Sequence, residues 1–345
     1  MLRQLLWRPD VVWVVEPALL CAPTAWGVAR LAGARAWLHI QDYEVDAAFD
    51  LGLLKGPWLK RAVLAGERWL MRRFDVVSTI SQRMLARAQA KGVDAGRLVA
   101  FPNWVDISAI TPGGHGLPRC ARNDGDGEGH DGDGARNDEA VGRHGVNHFR
   151  TLLGIAPAAV VALYSGNMGA KQGLELLADA AKLCLAQAAP AQPAMVFVFC
   201  GNGAGRAELV QRCAGLPNVH FLDLQPMERL NELLALADIH LLPQRADAAD
   251  LVMPSKLTGM LASARPVVAT ARPGTELAQV VQGCGLVVPP ENPRAMADAV
   301  LALAADAVWR AQLGAAGRAH AAQHMNREAV LQRFESFLMG NNKNG

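Results

Sequence analysis

From residue 158 onwards, short apolar runs rich in β-branched residues alternate with helical patterns. Uninterrupted apolar runs of this kind are typical of parallel strands that are buried on both faces of a sheet. The predicted strands are 160–165, 195–200, 219–222, 239–243, 266–269 and 286–288, and the predicted helices include 173–186, 204–213, 227–237 and 292–304. The alternation predicts a doubly wound α/β domain, and such domains bind ligands at the carboxyl ends of their strands.

The first hundred residues repeat this alternation less completely. The predicted strands are 11–15, 36–40, 76–80 and 98–100, and helical patterns lie near 18–32, 57–73 and 82–91. No Gly-rich turn opens this region, so it predicts an incomplete Rossmann-like domain. Because a sheet that begins at its middle leaves an open edge and an apolar face, we expect that an N-terminal piece of the domain is lacking.

A low-complexity segment, residues 113–148, separates the two regions. It contains almost no aliphatic residues and is dense in Gly, Asp, Asn, Arg and His, which predicts a disordered insertion. The predicted organisation is a first domain at 1–111, the insertion at 112–150, a second domain at 151–325, and a C-terminal helix and tail at 326–345.

A calcium loop is the alternative interpretation of the insertion. Asp124, Asp126, Glu128 and Gly129 match the start of an EF-hand loop. We reject it because Ala135 stands where the loop needs a bidentate Glu and because no helical patterns flank the segment.

Composition excludes several other classes. A net charge of +2 with dispersed Lys and Arg argues against a nucleic-acid partner. The six cysteines form no CxxC pair, which favours reduced thiols and a cytoplasmic protein. The apolar stretch 11–32 contains Glu16, Pro17, Pro23 and Arg30 and is too interrupted to span a membrane, although peripheral membrane contact stays open.

Three loops at the predicted carboxyl edge of the second sheet combine glycines with cations. The first follows strand 160–165 and contains Gly166 and Lys171; the second contains Gly201, Gly203 and Gly205; the third is "PSKL" at 254–257. Gly-rich backbone beside a cation suits a phosphate, so we expect a diphosphate site. A solvated Lys171 and a helix-capping Lys256 are the structural alternatives. An NAD site is disfavoured because the GxGxG turn follows the second strand of its domain.

The order of motifs resembles that of GT-B fold glycosyltransferases. The motifs are "YSGNMGAKQG", "FCGNG", "PSKL", "RPVVAT", "GTELA", "GCGLVVPP" and "ENP". More narrowly the chain is similar to the retaining family 4 enzymes, and "HIQDYEVDAAFDLGLL" with "FPNWVDI" is similar to their colanic-acid-biosynthesis branch. The resemblance covers about residues 1–111 and 149–340. It implies two doubly wound domains of GT-B type, of which the first lacks its N-terminal part.

The resemblance also implies a set of donor-binding residues. Lys171 matches a lysine that binds the donor diphosphate in such enzymes, Asn167 stands at a position usually occupied by arginine, and Lys256 is expected to replace that charge. The full expected set is Gly166, Asn167, Lys171, Gly201, Asn202, Ser255, Lys256, Gly274, Thr275 and Glu276.

The chain departs from the family at its carboxylates. Leu251 and Gly259 stand where the family often has two glutamates, so Asp250 and Glu276 are the alternative acceptors for donor hydroxyls.

The family often also has a His-Asp pair that faces the sugar. Here Gln41 stands at the histidine position, which leaves His39 and Asp42 as the catalytic candidates. A packed strand histidine is the structural alternative for His39.

The expected activity is transfer of a hexosyl or deoxyhexosyl group from a nucleoside-diphosphate-sugar to a growing surface polysaccharide. The acceptor is expected on a lipid carrier, at the cytoplasmic face of the plasma membrane. The resemblance implies neither a metal nor a cofactor besides the donor, because cations and backbone amides can stabilise the leaving diphosphate. The alternatives are a sugar-nucleotide epimerase of the same fold and a non-catalytic truncated remnant.

Overall fold

The computed structural model describes residues 7–16, 21–43, 56–112, 147–169, 172–189, 192–246 and 253–340. Within them the chain forms two parallel sheets covered by helices. The strands of the first sheet are β1 (Val11–Glu16), β2 (Arg35–Ile40), β3 (Val76–Thr79) and β4 (Leu98–Ala100). Those of the second are β5 (Val160–Ser165), β6 (Met195–Cys200), β7 (Val219–Leu222), β8 (Ile239–Leu242), β9 (Val267–Thr270) and β10 (Gly285–Val288). The α/β prediction is confirmed.

The first sheet has the order β1-β2-β3-β4, with every pair parallel. Its connecting helices are α1 (Ala22–Ala32), α2 (Pro57–Met71) and α3 (Gln82–Ala90). Strands that pair in sequence order through right-handed crossovers place all their helices on one face. That face buries Leu38 and Ile40 of β2 in one cluster with Phe74 and Met84.

The opposite face of the first sheet is aromatic. Because side chains alternate along a strand, Trp37 and His39 point away from the cluster that contains Leu38. The C-terminal helix α12 (Arg327–Gly340) covers them: the Phe334 ring centroid lies 4.8 Å from that of Trp37 and 4.5 Å from that of Phe101. The expectation of an uncovered apolar face is therefore wrong for the part that α12 covers. In the described part of the chain β1 pairs only with β2, and Trp13 remains 44% exposed.

The second sheet has the order β10-β9-β8-β5-β6-β7, as a doubly wound fold requires. Its strands proceed outward from β5 through β6 to β7, and then from β8 through β9 to β10 on the other side. The topological switch point therefore lies between β5 and β8, where such folds bind ligands. The helices of this region are α4 (His148–Leu152), α5 (Glu175–Ala186), α6 (Arg206–Arg212), α7 (Leu230–Leu236), α8 (Lys256–Ala262), α9 (Glu276–Val281), α10 (Pro293–Ala305) and α11 (Ala307–His324).

The chain crosses between the two sheets twice, and the two crossings lie side by side. Val105 donates its backbone N–H to the carbonyl oxygen of Met325 at 2.8 Å, and Arg327 donates its backbone N–H to that of Val105 at 3.0 Å. Arg327 also forms an ion pair with Asp106 at 2.9 Å. The predicted insertion lies almost wholly in residues 113–146, outside the described part, and α4 begins at His148, before the predicted boundary at residue 151.

Candidate functional site

Two glycine turns meet at the carboxyl ends of β5 and β6. Gly166 has a φ of +133° and Gly201 a φ of +145°, a region that favours glycine. A Cβ on Gly201 would overlap the carbonyl oxygen of Gly166. Both turns therefore require glycine, and together they form a backbone surface that a ligand can approach closely.

The loops that follow these turns are locked together. Met168 donates its N–H to the carbonyl oxygen of Asn202 at 2.9 Å, and Gly205 donates to that of Met168 at 2.8 Å. The Tyr164 hydroxyl donates to the carbonyl oxygen of Asn167 at 2.5 Å. The structure thus brings together Gly166, Asn167, Gly201 and Asn202, and their predicted role in donor binding stays a prediction.

Lys256 extends from the start of α8 over the same turn. Its Nζ lies 4.1 Å from the centroid of the Tyr164 ring and 3.7 Å from the position that a Cβ on Gly166 would take. Burial lowers its pKa from 10.5 to about 8. Lys256 is therefore a desolvated cation, and within the described ranges no carboxylate lies at ion-pair distance from its amine.

A cavity of about 520 Å³ adjoins Lys256. It is bounded by the first crossing segment, including Trp104, by α7, and by Ser165, Ser255 and Gly259. A Cβ on Gly259 would contact only Leu234 Cδ1, at 3.5 Å, so the glycine leaves space on that wall. Cavities of this size and mostly apolar lining are typical of sites for small organic ligands.

The polar side chains that line the cavity differ in whether they already have hydrogen-bond partners within the protein. Asp106 Oδ1 accepts hydrogen bonds from the Ser108 hydroxyl and backbone N–H, and Asn231 Oδ1 accepts one from the Thr111 N–H at 2.9 Å. For Glu228, by contrast, the described residues provide no such partner. Glu228 is therefore the carboxylate of this cavity that can accept hydroxyl groups of a ligand.

The loop with Gly274, Thr275 and Glu276 faces the other domain. Thr275 caps α9, because its Oγ1 accepts the Ala278 N–H at 3.2 Å. The Glu276 carboxylate accepts the backbone N–H groups of Gln82, at 3.1 Å, and Arg83, at 3.0 Å, at the start of α3. No hydrogen bond or ion pair among the described residues joins this loop to Lys256, and the predicted donor role of Gly274, Thr275 and Glu276 stays a prediction.

His39 lies in the first domain among aromatic rings. It is 2% exposed, its ring centroid lies 5.3 Å from that of Phe101, and its two ring nitrogens lie 2.9 Å from Ser78 Oγ and from Gln41 Nε2. Burial lowers its pKa to about 4, so the imidazole is neutral at physiological pH. Asp42 follows the end of β2 and is partly buried. The catalytic role of both residues stays a prediction.

Some expected residues lie outside the described ranges. One cation near the site, Arg245, was not predicted from the sequence. Lys171, Asp250 and Leu251 belong to segments that the structure does not describe. Arg245 was not predicted, yet it follows β8 and its Cγ lies 3.1 Å from the position of a Cβ on Gly173. Arg245 could have been identified from the sequence because it is a cation three residues after β8, a strand that borders the switch point.

Comparisons with known proteins show which family the sequence belongs to. Residues 1–104 match the family described as a glycosyl transferase 4-like domain, and residues 159–306 match the family described as glycosyl transferases group 1. Over 348 aligned residues the chain is 34% identical to a protein described as the colanic acid biosynthesis glycosyl transferase WcaI of Escherichia coli K12. That alignment covers 99% of this chain and 76% of the relative.

Solved structures are similar across both domains. Sucrose-phosphate synthase from Thermosynechococcus elongatus superposes with a TM-score of 0.74 at 16% identity, covering 100% of this chain and 76% of that one. Anabaena HepE in complex with UDP and glucose gives a TM-score of 0.69 at 16% identity, covering 95% and 78%.

The structure has two Rossmann-like domains, and the carboxyl edge of the second carries the glycine turns and Lys256. Its structural neighbours are GT-B glycosyltransferases, so the predicted fold class is confirmed. The chain belongs to the group 1 glycosyltransferases with a family 4-like first domain. It is a glycosyltransferase, as the sequence predicted.

Proposed function

We propose that this enzyme transfers a sugar from a nucleoside-diphosphate-sugar to the lipid-linked precursor of a bacterial surface polysaccharide. The observation that carries the proposal is Lys256, a desolvated cation beside two turns that only glycine can form. The E. coli relative is described as a colanic acid biosynthesis protein, and the similar Anabaena protein was solved as a complex with UDP and glucose. Both support the proposal.

The donor lies along the switch point of the second sheet. Its diphosphate contacts Lys256 and the turns at Gly166 and Gly201, and its nucleoside occupies the adjoining cavity of about 520 Å³. Glu228 accepts the ribose hydroxyls there, at the wall where Gly259 leaves space. The sugar then projects towards the cleft between the two domains.

Bond breaking places negative charge on the departing nucleoside diphosphate. The Lys256 ammonium lies in a desolvated environment, where an electrostatic interaction is stronger than in water. Its contribution is therefore larger in the transition state, when this charge develops, than in the ground state. Tyr164 holds the amine in place through its ring face and needs no proton transfer of its own. The proposed reaction uses no cofactor besides the donor.

The acceptor and its location are part of the proposal. We propose a growing glycan on a lipid carrier, reached at the cytoplasmic face of the membrane through peripheral contact. No helix of the described residues has the length and apolar character needed to cross a bilayer.

Ligand-induced thermal stabilisation tests the donor site. The purified chain is heated with UDP, GDP or ADP, beside Lys256→Ala and a matched control, Lys182→Ala, whose amine pairs with Asp179 on the exposed face of α5. We expect one nucleoside diphosphate to raise the melting temperature of the wild type and of Lys182→Ala but not of Lys256→Ala, because a bound ligand stabilises the folded state by mass action.

The matching nucleotide-sugar is then tested for transfer or for slow hydrolysis. Absence of any stabilisation in a folded wild-type protein would contradict the proposal and favour a non-catalytic chain. Stabilisation that Lys256→Ala retains would contradict the assigned site.

A further inference from the structure

The outer face of α2 carries two aligned tryptophans. Trp58 and Trp69 are eleven positions apart, so at about 100° per residue they lie within about 20° of each other around the helix. Their side chains are 81% and 53% exposed. The positions between them on this face, Ala62 and Ala65, are small and exposed. We call the surface formed by Trp58, Ala62, Ala65 and Trp69 the tryptophan face.

Exposed arginines flank the tryptophan face on both sides. Arg61 and Arg68 lie on one flank and Arg73 on the other. The helix contains one acidic residue, Glu67, which lies on the opposite side, is 1% exposed and pairs with Lys91. The exposed charged side chains of α2 are therefore all positive.

Arginines also lie over the indole rings, closely for Trp69 and at the outer limit of a cation–π contact for Trp58. Arg73 Cζ lies 4.1 Å from the centroid of the Trp69 ring and 5.3 Å from that of Trp26 on α1. The Trp26 indole donates to the carbonyl oxygen of Arg73 at 3.1 Å, and Arg61 Cζ lies 6.0 Å from the centroid of the Trp58 ring. Stacking on a guanidinium fixes an aromatic ring without burying it. The rings are thus presented outward.

The orientation of α2 places one end of the tryptophan face on the side of the first sheet that faces the second domain. In a right-handed crossover the helix runs antiparallel to its strands, so Trp58 at its start lies at the carboxyl edge of the first sheet. The same edge carries the start of α3, which contacts Glu276 of the second domain. The Trp58 end of the tryptophan face therefore lies at the same edge of the first sheet as the contact between the domains.

We propose that the tryptophan face and its arginines bind an anionic lipid bilayer. Indole rings favour the headgroup region of a membrane, and arginines pair with lipid phosphates. Protein interfaces are also rich in tryptophan and arginine, so the choice of a bilayer rests on charge. This face presents positive charge only, which matches the uniformly negative surface of an anionic bilayer. This inference rests on the proposed function in one respect: transfer to a lipid-linked acceptor gives the enzyme a reason to lie at a membrane.

Vesicle flotation with the full chain tests the proposal. Phosphatidylcholine vesicles are compared with vesicles that also contain about one-third phosphatidylglycerol, for the wild type and for Trp58→Ala/Trp69→Ala. We expect the wild type to float with the anionic vesicles and to be released by added salt, and the double variant to lose about tenfold or more of its bound fraction. Trp7→Ala, which removes another exposed indole at the opposite edge of the sheet, is the matched control and should bind like the wild type.

Three outcomes would overturn the proposal. They are a wild type that does not float with anionic vesicles, a double variant that floats equally well, and a wild-type dimer in solution that the double variant disrupts. The thermal melt and the nucleoside-diphosphate affinity of the double variant should equal those of the wild type, which excludes misfolding. If nucleotide binding is absent while anionic vesicles are bound through the tryptophan face, the proposed function fails and the membrane surface stands.

Discussion

Glu276 Oε2 accepts the backbone N–H of Arg83 at 3.0 Å, and this hydrogen bond joins the two domains across the cleft. The other oxygen of the carboxylate accepts the N–H of Gln82. A carboxylate at the first turn of a helix is favoured both by the free amide groups there and by the helix dipole. The contact therefore stabilises the arrangement of the domains in which the cleft is closed at this point.

Neutralising this carboxylate should favour an open cleft. Interactions of a charge with a helix terminus are worth about 0.3–1 kcal/mol, so Glu276→Gln should shift the closure equilibrium by about two- to fivefold. Small-angle scattering should show a larger radius of gyration, and the transfer rate should fall. Asp298→Asn is the control, because it removes an exposed carboxylate that pairs with Arg294 of the same helix, α10. A large loss of nucleoside-diphosphate affinity without any change in shape would instead favour the predicted donor role of Glu276.

Nucleotide affinity should depend on the protonation of Lys256. Its pKa in the free protein is about 8, below the ordinary 10.5, because burial disfavours the charged form. A bound diphosphate favours that form, so binding above pH 8 takes up a proton. Affinity should change little between about pH 7 and pH 8, where the terminal phosphate of the ligand stays ionised, and fall by up to about tenfold per pH unit above pH 8. Titration calorimetry at several pH values, in buffers of different ionisation enthalpy, measures both effects; Lys256→Met should abolish the proton uptake.

The turn at Gly201 should not tolerate a side chain. A Cβ there would overlap the Gly166 carbonyl, and the φ of +145° is unfavourable for any residue with a side chain. Gly201→Ala should destabilise the fold by about 3 kcal/mol or more, or displace the loops and abolish nucleotide binding. Gly215→Ala is matched to it, since Gly215 has a φ of +80° but open space around it, and should cost about 1 kcal/mol. Equal losses in urea unfolding would contradict the close approach of the two turns.

Removing Phe334 should destabilise the first domain. Its ring lies within aromatic contact of Trp13, Trp37 and Phe101 on the sheet face that α12 covers. Phe334→Ala should cost about 2–4 kcal/mol in urea unfolding monitored by tryptophan fluorescence. Met339→Ala on the same helix, 63% exposed, should change stability by less than about 0.5 kcal/mol. Similar values for the two variants would mean that α12 is not required to cover this face.

The strands and glycine turns were predictable because their signals are local. The apolar run 195–200 predicts β6, and the glycine that follows it predicts a turn at the ligand-binding edge. The strand alternation of β2 also predicts on which side His39 lies. These properties depend on neighbouring residues and on the general geometry of parallel sheets.

The remaining features depend on contacts between distant segments. Periodicity near residue 334 predicts a helix but not the sheet face that it covers, so the enclosure of His39 could not be derived. The stacking of Lys256 on Tyr164 requires knowledge of how α8 approaches β5, and the hydrogen bonds from α3 to Glu276 require the relative placement of two domains. Such arrangements follow from tertiary packing, which leaves no pattern in a single sequence.

The paired crossings at Val105 and Asn326 restrict how the domains can move. Two independent bodies have six relative degrees of freedom. Bodies joined by two adjacent segments that share backbone hydrogen bonds and the Asp106–Arg327 ion pair retain fewer, because the two crossings form one common pivot. Hinge closure of this kind rotates a few backbone torsions. The two domains are therefore held together at this pivot, and covalent connectivity removes most of the translational and rotational entropy that assembling the active site would otherwise lose.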